Sequence, residues 1–149
     1  MQWLVDVLNG QPGPEATDHL RRAFITWWQS GGRARRGADG RLMRSGHLSL
    51  ARCAGLPENP ENARLQLRNW YLRQAAELLG APIDQPWRRA TELHAALSDF
   101  AGRKWPCWWS LSEPPMQATE LESLLWHATR AGGGKLPGTA RRIAQILEA

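Results

Sequence analysis

Two side-chain types in this chain could carry chemistry, arginine and tryptophan. Of 19 basic residues among 149, only Lys104 and Lys135 are lysines. A guanidinium is planar, always charged and able to grip a phosphate with two parallel N–H bonds. Arg33, Arg35, Arg36, Arg41 and Arg44 crowd into one glycine-rich stretch with a single acid, Asp39. Such a run could neutralise phosphates along a nucleic-acid backbone. Arg52 follows, and Arg64 and Arg68 are spaced i, i+4, as on one helix face. Arg141 and Arg142 open an apolar helical pattern, where free backbone N–H groups also attract anions. The plainer alternative is a set of solvated charges that bind nothing.

Tryptophan is the second candidate. There are nine, against two phenylalanines and one tyrosine. Trp105, Trp108 and Trp109 sit within Lys104-Trp105-Pro106-Cys107-Trp108-Trp109, a spacing that no helical stripe absorbs in full. Two uses are open: a lid over helix ends, or a patch for docking a partner or stacking a base, flanked by Arg103 and Lys104. Trp27, Trp70 and Trp87 fall on apolar helical stripes and are expected in the core, with Trp28 and Trp126 at its edge and Trp3 pinning the N-terminal segment.

Catalysis finds little support. His19, His47, His94 and His127 have no metal-ligand spacing with one another or with Cys53 and Cys107. Gly132-Gly133-Gly134-Lys135-Leu136 lacks the first glycine, the Ser/Thr and the preceding strand of a phosphate loop. No enzyme, metal or cofactor is expected.

The most specific local pattern is Leu48-Ser49-Leu50-Ala51-Arg52-Cys53-Ala54-Gly55-Leu56. It resembles the first helix and turn of helix-turn-helix DNA-binding units, with Ala51 at the helix contact and Gly55 making the turn. With Trp27-Trp28 and Gly32, the wider stretch is similar to the N-terminal DNA-binding regions of some transposases. The likeness covers about a fifth of the chain. It implies DNA contact through this unit, with Asn59, Asn62 and Gln66 facing base edges. An ordinary helical hairpin is the alternative.

These residues must be positioned by helices. Sustained period-2 alternation is absent, so no significant sheet is expected. The pattern predicts an all-α bundle of six or seven helices in a single domain, 1–149. Helices are expected over about 3–8, 15–30, 47–54, 61–79, 84–103, 119–131 and 139–147. Asn9-Gly10, Gly31-Gly32, Gly55, Gly80 and Gly132-Gly133-Gly134 supply stops. Asp84 is a candidate N-cap with Pro86 near it, and Thr119 with Glu122 forms a candidate capping box. Residues 33–46 are expected as a mobile basic loop and 105–116 as an irregular Trp/Pro-rich connection.

The net charge of +5 favours a nucleic-acid partner, DNA before RNA. No apolar run is long enough to span a bilayer, and no secretory leader pattern is visible, so a cytoplasmic protein without a membrane partner is expected. Two isolated cysteines fit that compartment. The leading expectation is a non-enzymatic DNA-binding protein of a phage, plasmid or other mobile element. The alternative is a protein-interaction module, an inhibitor or small subunit, docking on a larger nucleoprotein complex through exposed Trp and Arg residues.

Overall fold

The structure, a computed structural model, describes residues 1–30, 35–36, 42–43 and 49–148. The expected basic loop therefore lies mostly outside the described residues. Within it the backbone pairs briefly: β1 (Arg35–Arg36) runs antiparallel to β2 (Leu42–Met43), Arg35 opposite Met43. Every other described element is helical: α1 (Gln2–Leu8), α2 (Pro14–Ser30), α3 (Leu50–Cys53), α4 (Pro60–Leu78), α5 (Pro86–Arg103), α6 (Trp105–Trp108), α7 (Glu120–Ala131) and α8 (Ala140–Glu148). The chain is all-α, as its patterning predicts. The helix beyond the expected six or seven is α6, a single turn in the stretch expected to be irregular. Contacts gather into two compact units, Met1–Ala63 and Arg64–Ala149.

In the first unit α2 packs against α1 and α3. The expected placement of Trp27 in the core and Trp28 at its edge is corrected. The buried positions of α2 are Ala16 and Ala23, seven residues apart, while Phe24, Trp27 and Trp28 are exposed. Small residues let the backbones approach, and the bulky rings turn outward. His19 lies between them in the sequence and ties the unit together. Its ring stacks on Trp3 of α1 at 4.1 Å, and Nε2 lies 3.0 Å from the Ala54 carbonyl at the end of α3. At that end Gly55 takes φ +71°, and the Leu56 N–H donates to the Ala51 carbonyl at 2.8 Å. This is the left-handed helix stop for which glycine is suited. The Asn59 side chain accepts from the Glu61 N–H at 2.9 Å, so it caps α4 and is engaged with the backbone.

The second unit is built around α5, which packs on α6, α7 and α8. Ala90, Leu93, Leu97 and Phe100 form its buried stripe, at the expected 3–4-residue spacing. Trp87, expected to extend that stripe, is 62% exposed, because α5 begins at Pro86 and its first turn lies beyond the core. Gln85, not Asp84, occupies the N-cap, without a side-chain bond. The buried face of α4 is Tyr71, Leu72, Ala75 and Ala76, and Leu78 is exposed. Trp70 is half-buried, its ring edge-on to Tyr71. Trp126, expected at an edge, is a core residue at 2% exposure. Thr119 and Glu122 form the expected capping box, and Ile143 and Ile146 are the buried residues of α8. No helix is long and apolar enough to cross a membrane among the described residues.

Candidate functional site

Arg68 lies on α4 one turn before buried Tyr71 and Leu72, so its stem runs along the rim of the core. Its Nε and one terminal nitrogen donate to Asn69 Oδ1 at 3.2 and 2.8 Å, and the other terminal nitrogen donates to the Lys135 carbonyl at 3.4 Å. Both acceptors are neutral. Burial lowers the Arg68 pKa from its ordinary value, and the positive charge of Arg142 lowers it further. The fold thus brings together two arginines that lie far apart in the chain, both candidates from sequence. Among the described residues neither has an acidic partner. The three ion pairs there join Arg88 to Glu92, Arg103 to Asp99 and Lys104 to Glu122. Arg64 and Arg141 are exposed beside Arg68 and Arg142 on their respective helices.

Arg142 occupies an unusual place. Thr139 Oγ1 accepts the Arg142 N–H at 3.2 Å, so Thr139 caps α8 and Arg142 stands third in the helix. Three residues after a threonine cap, glutamate is the residue that completes a capping box and suits the helix dipole. Thr119-Glu-Leu-Glu122 follows that rule at α7. Thr139-Ala-Arg-Arg142 reverses it, and the first turn of α8 holds no acid. The Arg142 guanidinium is held by Gln145 Oε1 at 2.9 Å. Two cations near one another at a helix N-terminus cost stability that a bound anion would recover.

The turn between α7 and α8 connects this pair to the tryptophans. Gly132 sits so close under Arg68 that a Cβ there would stand 2.9 Å from its Cδ and 2.6 Å from the Lys135 carbonyl oxygen. Gly133 and Gly134, at φ +61° and +81°, line a groove of about 440 Å³ with Trp105, Trp109 and Arg130. Trp105 and Trp108 are half-buried, their rings 6.5 and 5.8 Å from Phe100. Trp109 is 61% exposed. The Trp108 carbonyl accepts from Trp126 Nε1 at 3.2 Å, and the Trp109 carbonyl accepts from Arg130 at 2.8 Å. The Arg130 guanidinium also lies 5.6 Å from the centre of the Trp126 ring. Arg130, Gly133 and Gly134 are absent from the sequence-based candidates. The i, i+4 spacing of Trp126 and Arg130 was the available signal.

Other candidates do not join this site. Arg33, Arg41 and Arg44 lie outside the described residues, and of Arg35 and Arg36 only the backbone is described. Arg52 is exposed at the end of α3, in the first unit. Among the described residues no three His, Cys, Asp or Glu side chains gather as a metal site.

His127 beside the core supplies a pH response. It stacks on Tyr71 at 5.0 Å, and burial pushes its pKa below the ordinary value, opposed more weakly by Glu113. The unfolded chain titrates near the usual value of about 6.5. Below that value the unfolded state takes up the proton first, so stability falls as pH drops through it toward the folded pKa. The urea midpoint is expected to be lower near pH 5 than near pH 7.5. His127→Gln should flatten this difference; an equal drop in that variant would assign the effect to other groups.

Comparison with family models, curated proteins and solved structures finds no match to this chain, and the functional reading rests on its own geometry.

Proposed function

We propose that this protein binds nucleic acid without catalysing a reaction, and that Arg68 and Arg142 hold backbone phosphates. One observation carries this reading: Arg142 stands third in α8 after the Thr139 cap, where helix chemistry favours glutamate, and its positive charge acts on Arg68, neither having an acidic partner among the described residues. Arg64 and Arg141 extend the cationic surface along α4 and α8. Arg52 and the arginines of 33–44 are further phosphate contacts in this reading, DNA being the preferred partner.

The test is a salt titration by fluorescence anisotropy with labelled DNA. For single strands log K falls by about 0.7 per log unit of salt for each phosphate neutralised, so the four arginines of α4 and α8 alone predict a slope of roughly −3, and engagement of the remaining arginines steepens it toward roughly −7. Undetectable binding at about 50 mM salt would overturn the reading. That outcome would favour an interaction module instead, for which the exposed α2 residues Phe24, Ile25 and Trp28 are the supporting observation.

A further inference from the structure

We propose that the groove between Trp105, Trp109, Arg130 and the Gly133-Gly134 turn takes one unpaired base of single-stranded nucleic acid. This rests on the phosphate reading and names the form of nucleic acid that the same surface selects. Three features support it. The groove, at about 440 Å³, falls in the range of roughly 300–1,000 Å³ usual for small-ligand sites and has room for a nucleobase. One wall is the exposed ring of Trp109, and aromatic faces stack any base, whatever its identity. The opposite requirement, a wall that lets a ring approach the backbone, is met by two glycines in left-handed conformation that carry no side chain.

Charge argues for a nucleotide over a neutral apolar occupant. Arg130 is fixed by the Trp109 carbonyl and the Trp126 face, and that single hydrogen bond leaves other N–H donors of its guanidinium for a base edge or phosphate. Among the described residues no acidic side chain lines the groove. The glycine turn is shared: Arg68 packs on Gly132 and bonds the Lys135 carbonyl, while Gly133 and Gly134 border the groove. A strand crossing this turn would set a base on Trp109 and an adjoining phosphate toward Arg68 and Arg142. Duplex DNA keeps its bases stacked inside and cannot fill the groove.

The experiment compares two labelled strands on the full chain by anisotropy: oligothymidine of about 12 nucleotides, and a strand of the same length with abasic sites in place of bases. Wild type should prefer the base-bearing strand. Trp109→Ala should weaken that strand by about 5- to 100-fold and leave the abasic strand unchanged, while Trp109→Phe keeps most of the preference. The exposed position of Trp109 and its main-chain bond to Arg130 survive the substitution, and a thermal melt confirms folding. Equal wild-type affinity for both strands, or Trp109→Ala behaving as wild type, overturns the groove and leaves the phosphate reading standing. Failure to bind either strand overturns both.

Discussion

Arg142→Glu is expected to weaken nucleic-acid binding roughly 10- to 100-fold at low salt, and in the same protein to raise the melting temperature. The two effects have opposite sign because one side chain serves opposed demands. Glutamate at this position would complete a capping box with Thr139, match the helix dipole and turn a repelling pair with Arg68 into an attracting one. The hydrogen bond from Arg142 to Gln145 is lost, a small term for an exposed i, i+3 pair. A net gain of about 1 kcal/mol is expected, or about 4–8 °C for a unit of this size. The affinity loss follows from removing one phosphate contact and repelling the backbone with the new carboxylate. A stabilised variant that still bound as wild type would show that Arg142 does not face phosphate. Arg68 is a poorer probe, because its stem packs on Gly132 and its loss would confound stability with binding.

Trp126→Ala should have the largest effect on stability. The side chain is 2% exposed and holds the Trp108 carbonyl, so α6 is docked on α7 through it. Truncating a buried tryptophan costs about 3–5 kcal/mol, mostly through the cavity left behind. Domains of this size are stable by about 5–15 kcal/mol, so a large share of the margin would go. Trp126→Phe keeps a ring beside His127 but leaves the Trp108 carbonyl without its donor, and should fall between. Trp87→Ala, at a site 62% exposed, should change stability by less than about 1 kcal/mol. Urea unfolding followed by circular dichroism at 222 nm ranks the three. A larger loss for Trp87→Ala than for Trp126→Ala would contradict the core described here.

This ranking inverts the one that periodicity alone supports, and the reason is physical. Large aromatic residues at helical spacing imply a buried face, yet in α2 and α4 alanines form much of the seam, at Ala16, Ala23, Ala75 and Ala76. Close helix approach selects small residues, which carry little weight in a hydrophobic pattern. Features governed by local chemistry were legible. Gly55 and Gly133 stop helices in the left-handed conformation that glycine tolerates, and Thr119 caps as its spacing to Glu122 predicts. The apolar spacing of Leu93, Leu97 and Phe100 in α5 and of Ile143 and Ile146 in α8 was also legible, because those residues do face inward, whereas Trp87 does not. Of the site, the arginines could be named singly, but the meeting of Arg68 with Arg142 depends on tertiary packing. One local clue was present all along, the arginine three places after Thr139 where Glu122 follows Thr119.

If Arg142 contacts phosphate, its charge enters the salt dependence of binding, and the salt slope reports that contact. Anisotropy titrations of wild type and Arg142→Glu on one labelled single strand, at about 50 to 300 mM salt, give the two slopes. The variant is expected to bind more weakly, with a slope shallower by about 0.7 or more. Parallel lines of equal height would contradict it.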